Sequence, residues 1–179
     1  PWVAERHLTA GELIDKQPDA VLPVIREIIG GGAGPSARDA LAARYRLDEL
    51  RRAAEGIWTH ADVLLLPTAG THYRIDEVQA DPVKLNSNLG HYTNFVNLLD
   101  LAAVAVPAGF TRGGLPFGVT LVAPAFEDSD LLRLAARLHH VTGRSLGALG
   151  AQIPEPSAGF PDADADSFID VAVCGAHMQ

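Results

Sequence analysis

Residues 102–126 read AAVAVPAGFTRGGLPFGVTLVAPAF, and how this stretch folds decides the architecture. AAVAVPAGF (102–110) and LPFGVTLVAPAF (115–126) are apolar, β-branched runs separated by TRGG (111–114). A short Gly-containing connector between two such runs predicts an antiparallel hairpin. DSDLLRLAARLHHVTG (128–143) closes the unit as an amphipathic helix. Leu131, Leu134, Ala135 and Leu138 share one face, and Gly143 lies beyond the end.

Upstream, ADVLLLPTAG (61–70) is a continuous apolar run ended by Pro67 and Gly70, as expected of a strand buried on both faces. RIDEVQADPVKLNSNLGHY (74–92) is polar and turn-rich and reads as a long surface loop. YTNFVNLLDL (92–101) is helix-like with Thr93 at the N-cap. Nearer the start, PDAVLPVIREIIGGG (18–32) predicts a helix with Gly30 as its C-cap. Ser36 and Asp39 have capping-box spacing for the next helix. Residues 37–61 read as two helices joined near Leu47, the second being DELRRAAEGIWTHA (48–61). No internal repeat is visible. Helices packing on a mixed sheet place the main unit, residues 1–143, in the α/β class. Residues 144–167, rich in Pro, Ala, Gly and Asp, read as a linker. FIDVAVCG (168–175) alternates like the first strand of another module, giving 168–179 as its truncated start.

Composition narrows the function classes. With 47% apolar residues in 179, a sizeable core can be buried. Fourteen Lys and Arg against 22 Asp and Glu give a net charge of −8 without a basic cluster, which argues against nucleic acid as a partner. The single cysteine, Cys174, excludes an internal disulfide. No apolar run is long enough to span a membrane and no basic-then-apolar signal opens the chain, so a cytoplasmic protein is expected. The chain starts PWVAER, without Met, and ends CGAHMQ; both predict a fragment of something larger.

Most short motifs yield to bland readings. IIGGGAGPS (28–36) lacks the Gly-Lys-Ser/Thr of a phosphate loop and follows a helix. DADADS (162–167) has Asp162, Asp164 and Asp166 at calcium-loop alternation, but Ser167 and Val173 stand where Gly and Glu are needed. Adjacent His139 and His140 point roughly 100° apart on a helix and cannot share a metal. No Gly-x-Ser-x-Gly exists. Lys84 and Ser87 place an amine near a hydroxyl, on polar ground poorly suited to a deprotonated lysine. Thr93, Asn94, Asn97 and Asp100 sit within an apolar helix, either pinning it to loop backbone or shaping a pocket wall.

Taken together, VLLLPTAGT (63–71), DPVKLNSNLGHYTNFVNLLDLAAVAVPAGF (81–110) and GLPFGVTLVAPAF (114–126) resemble the C-terminal half of an amidase-signature enzyme. PWVAER is similar to a segment of the allophanate hydrolase subfamily. The resemblance covers residues 1–142, with 168–179 similar to the start of that subfamily's small C-terminal domain. It implies a mixed β-sheet core flanked by helices, and amide hydrolysis by a Ser–Ser–Lys triad with no metal or cofactor. The Gly/Ser-rich signature carrying that triad is absent, so no catalytic residue is expected here and the fragment alone is expected to be inactive. The implied reaction is hydrolysis of allophanate to ammonia and carbon dioxide in urea or s-triazine nitrogen metabolism. A homodimer is implied for the full-length parent.

Substrate binding is what remains. Arg6 matches the subfamily arginine that clamps a carboxylate, and an arginine fork suits that role. Its tyrosine partner would fall before Pro1. The plain alternative is an exposed arginine paired with Glu5 or solvent. Thr68, Thr71 and Tyr73, just past the expected strand, are candidates to line the pocket mouth. Thr120 stands where general amidases of the resembled superfamily carry Gln, which is consistent with the allophanate branch and puts generic amide substrates in doubt. Another amidase-signature hydrolase, or a non-catalytic module reusing this half-fold, are the competing readings.

Overall fold

The computed structural model describes residues 2–142 and 150–152. Helices are α1 (Trp2–Lys16), α2 (Pro23–Gly30), α3 (Ala37–Glu55), α4 (Ile75–Ala80), α5 (Pro82–Leu89), α6 (Asn94–Leu99) and α7 (Asp128–Val141). Strands are β1 (Leu64–Pro67), β2 (Ala102–Phe110) and β3 (Pro116–Ala123). Helices over a sheet are the expected α/β arrangement. The three strands are wholly antiparallel, in the order β1-β3-β2.

The 102–126 hairpin forms as its sequence predicts. Ala102 pairs with Ala123 and Val104 with Leu121, and a bulge between Pro107 and Gly109 shifts the register near the turn. α7 packs on both hairpin strands. Leu131 and Ala135 of α7 join Ala102, Val106, Leu121 and Ala123 in one buried cluster, with Leu138 at its margin. Leu134, expected on the same face, is exposed. Alternation along β3 sends Thr120 and Val122 to the opposite face, and both are buried there. β3 is therefore buried on both faces over Thr120–Ala123. Residues 61–70 were expected to supply such a strand; instead β1 is a four-residue edge strand with Leu65 58% exposed. The reason is position, because β1 lies at the sheet edge away from the α7 packing that covers β2 and β3.

Other expectations need correction. The helix expected over 18–32 is confined to α2, because Pro23 starts it at the first helical position. Pro18–Ala20 and Gly31–Ala33 are single 3-10 turns, and Gly31, not Gly30, is the C-cap. α3 runs unbroken through Leu47 and passes into a 3-10 turn at Gly56–Thr59. The ion pair Arg46–Glu49 spans the expected break, and Arg51–Asp48 follows it. Residues 75–89, expected as loop, form α4 and α5. The Glu77 carboxylate accepts from the Arg74 N–H at 2.8 Å, Asp81 caps Lys84 N–H at 3.3 Å, and Pro82 opens α5.

α6 starts after Thr93 as expected, although the Thr93 hydroxyl makes no capping bond. Asn94, Asn97 and Asp100 are exposed, so the premise of buried polar groups fails for them. Asp100 instead ends α6 in the left-handed conformation (φ 59°), which an aspartate tolerates, and turns the chain into β2. Arg51 Nε donates to Leu98 O at 3.1 Å and ties α3 to α6. At the N-terminus, α1 packs on α2 and the Gly31–Ala33 turn. A Cβ at Gly32 would lie 2.5 Å from Val3 O, so the close approach requires glycine.

Large apolar side chains also stay at the surface; Phe110 is 61% and Phe126 95% exposed. No helix among the described residues is long and apolar enough to cross a membrane. Most of the expected linker at 144–167, the acidic 162–167 stretch, the 168–175 strand and Cys174 lie outside the described residues.

The capping box forms as expected. Ser36 Oγ donates to Asp39 Oδ2 at 2.6 Å, Ser36 N–H donates to the same oxygen at 3.0 Å, and Asp39 N–H donates to Ser36 Oγ at 3.2 Å. The serine hydroxyl first, and its backbone N–H second, hold the Asp39 carboxyl below its ordinary value. A lowered folded-state value stabilises the helix above the unfolded aspartate value of about 3.9, and that stabilisation is lost as pH falls through the folded value. Ser36→Ala should move the Asp39 value up toward the ordinary one and flatten this acid dependence, as read by carboxyl-carbon NMR titration.

Candidate functional site

Two recesses hold the residues singled out from the sequence. The larger, of about 470 Å³, lies between the end of β1 and the β2–β3 hairpin. Thr68, Ala69 and His72 line one side, and Val106, Pro107, Phe110, Phe117 and Gly118 line the other. The wall is mainly apolar, with the Thr68 hydroxyl and His72 imidazole as its polar side chains.

Thr68 is placed by the sheet. Its N–H donates to Gly118 O at 3.1 Å, which carries the β1–β3 ladder one residue past Pro67. Directly opposite, Gly118 has no side chain; a Cβ there would approach Thr68 Oγ1 to 3.2 Å. Thr68 therefore reaches diagonally to Thr120, and the two hydroxyl oxygens lie 2.9 Å apart. Thr120 is only 4% exposed, so this hydroxyl pair satisfies a buried polar group that would otherwise lack a partner.

The remaining candidates lie elsewhere. Thr120 stands behind Thr68 and does not line the cavity. Thr71 is exposed, with a long 3.4 Å contact to His72 O. Tyr73 Oη accepts from Asn88 Nδ2 at 3.0 Å, which ties the segment after β1 to α5. Arg6 lines the second recess, of about 250 Å³, with Trp2, Glu5, Thr9, Ala10 and Ile29. Its Cζ lies 4.4 Å from the Trp2 ring centroid. The structure thus brings Thr68 and Thr120 together and sets Arg6 in a separate recess. His72, Phe110 and Phe117 escaped sequence reasoning, because a cavity wall built from three chain segments has no periodicity to detect.

The other candidate chemistry is absent among the described residues. Ser87 Oγ donates to Val83 O at 2.9 Å on an exposed turn of α5, and it makes no hydrogen bond with Lys84. No group of three or more His, Cys, Asp or Glu is placed to hold a metal among the described residues. His139 Nε2 is buried without a hydrogen-bond partner among the described residues.

The threonine pair can be tested by a double-mutant cycle. Thr120→Val leaves the half-buried Thr68 hydroxyl short of a partner and should cost about 1–3 kcal/mol by urea denaturation. Adding Thr68→Val should recover most of that loss, giving a coupling energy of opposite sign to the single substitution.

Three comparisons with known proteins bear on identity. The model of the family described as Amidase matches residues 16–132. The urea amidolyase of Saccharomyces cerevisiae is 37% identical over 191 residues, covering 99% of this chain and 10% of that protein. One subunit of the glutamyl-tRNA(Gln) amidotransferase of Brevibacillus brevis is 39% identical over 88 residues, covering 49% of this chain and 18% of that one. Among solved structures, a Kluyveromyces lactis allophanate hydrolase variant superposes with a TM-score of 0.72 at 39% identity. That match covers 79% of this chain and 24% of the other. The chain therefore spans about a tenth of the length of the urea amidolyase that it matches. With the family model covering more than half of its residues, the chain belongs to the amidase family.

Proposed function

We propose that this chain is the C-terminal part of the amidase domain of an allophanate hydrolase. That enzyme hydrolyses the amide C–N bond of allophanate and releases ammonia and carbon dioxide in urea or s-triazine nitrogen metabolism. One observation carries the reading: similarity to a urea amidolyase covers 99% of the chain, whereas the amidase model matches only 16–132. The likeness thus extends into the flanks of the family domain, including the α1 segment with Arg6. Similarity to the amidotransferase, by contrast, covers 49% of the chain.

On this reading residues 1–143 complete the amidase domain, 144–167 link it onward, and 168–179 begin a small C-terminal domain. Nucleophile and base belong to the rest of the enzyme, so the 179-residue chain alone turns over no allophanate. The parent is a cytoplasmic homodimer acting on a small molecule, without nucleic acid, membrane, metal or cofactor. The surface apolar groups, Phe110 and Phe126 among them, are then covered by the rest of the enzyme.

This chain's contribution is to bind. Burying the allophanate carboxylate requires a compensating charge, and Arg6 supplies it. None of the ion pairs among the described residues involves Arg6, so no carboxylate there occupies its N–H donors, and similarity to the urea amidolyase extends over its segment. Thr68, backed by Thr120, contributes to the pocket wall, with Thr71 and Tyr73 at its mouth. In the whole enzyme, Arg6→Ala should lower kcat/KM on allophanate by about 2–4 kcal/mol, a fall of roughly 30- to 1,000-fold. Unchanged kcat/KM removes Arg6 from the site. A substrate panel run alongside should favour allophanate over uncharged aryl and alkyl amides, and the reverse preference would return the protein to the general amidases.

A further inference from the structure

We propose that Trp2 is the positioning residue for Arg6, holding its guanidinium where a substrate carboxylate meets it. The inference rests on the reading of Arg6 as the carboxylate ligand. Trp2 and Arg6 are four residues apart on α1 and so lie on one face of the helix. Helical side chains lean toward the N-terminus, which sends the long Arg6 side chain back across Trp2. The observed 4.4 Å from Cζ to ring centroid is well inside the roughly 6 Å range of a cation–π contact.

This contact differs from that of the four arginines held in ion pairs among the described residues. Arg46, Arg51, Arg74 and Arg133 each face a carboxylate, whereas Arg6 faces a ring. Attraction to a ring face engages the charge of the guanidinium and commits none of its five N–H donors. Arg6 is thus restrained while its donors stay available to an anion. The restraint matters because Glu5 lines the same recess. A carboxylate in that recess competes with an incoming anion for the Arg6 donors. The Trp2 ring biases Arg6 away from pairing with it. The recess, at about 250 Å³, is below the size of drug-like pockets and suits a small anion.

The test uses the whole enzyme with allophanate as substrate, comparing Trp2→Leu, Trp2→Phe, Arg6→Ala and the double variant Trp2→Leu/Arg6→Ala. Trp2→Leu should raise KM about 2- to 30-fold, with kcat changed less than about twofold. Trp2→Phe, which keeps a ring face, should recover most of that loss. In the Arg6→Ala background Trp2→Leu should change nothing further, because Trp2 acts only through the arginine. Trp2 is 44% exposed in this chain, and melting of each variant beside the parent separates a folding defect from the KM effect. If Trp2→Leu does not fold, fluorinated tryptophans at position 2 serve instead, since they weaken the ring's field at nearly constant size and should raise KM stepwise. Wild-type KM for Trp2→Leu, equal impairment of the Leu and Phe variants, additivity with Arg6→Ala, or indifference to fluorination each overturns the role of Trp2. If Arg6→Ala is harmless, the carboxylate reading of Arg6 falls first and this inference falls with it.

Discussion

Everything described around the larger recess depends on β3 being the middle strand, paired along both edges and buried on both faces over Thr120–Ala123. Its backbone donors and acceptors are met by β1 on one side and β2 on the other, so the strand can lie inside the molecule without unsatisfied amides. With the backbone settled, its side chains divide by face. Leu121 and Ala123 meet Leu131 and Ala135 of α7, and Thr120 and Val122 are buried opposite. Continuing the β1 ladder to Thr68 brings the start of the following segment over the hairpin. The recess between that segment and the hairpin is a consequence of strand pairing.

Polar groups near the recess are held by the same logic. A buried threonine in a central strand must find a hydrogen-bond partner, and Thr68 is within reach because Gly118 leaves the facing position empty. This pair fixes the inner end of the cavity wall. Arg6 is held by a different kind of contact, on a helix whose described packing is against α2 and the following glycine turn. An aromatic face restrains a cation without using its hydrogen bonds, and a carboxylate partner would use them. That difference is the physical basis for treating Arg6 separately from the paired surface arginines.

Legibility varied with how local the deciding physics was. The hairpin and α7 were readable because apolar periodicity and a Gly-rich turn are local properties, and the Ser36–Asp39 cap because it is a fixed four-residue pattern. α4 and α5 were missed although Asp81–Pro82 is a cap followed by a first-turn proline, a start signal that can equally be taken for a turn. They are six and eight residues long and lack an apolar stripe long enough to register. The break expected in α3 near Leu47 did not occur, since nothing there stops a helix and charge pairs run along its outside. Strand-end position alone pointed to the threonines past β1. Only the diagonal contact to Thr120 distinguished Thr68 from Thr71 and Tyr73.

The sequence by itself determined the α/β class, the hairpin, its covering helix and the likeness to amidases, because each rests on residue types at short spacing. Tertiary structure alone decided which strand is central, since that depends on who pairs with whom and not on how apolar a run is. It alone exposed Leu65 while burying Thr120, against the hydrophobicity of both. It also set Arg6 on the face of Trp2, in a recess apart from the threonine pair. Contacts between residues far apart in the chain, and the choice of partner for a flexible cation, are fixed only when the backbone is in place.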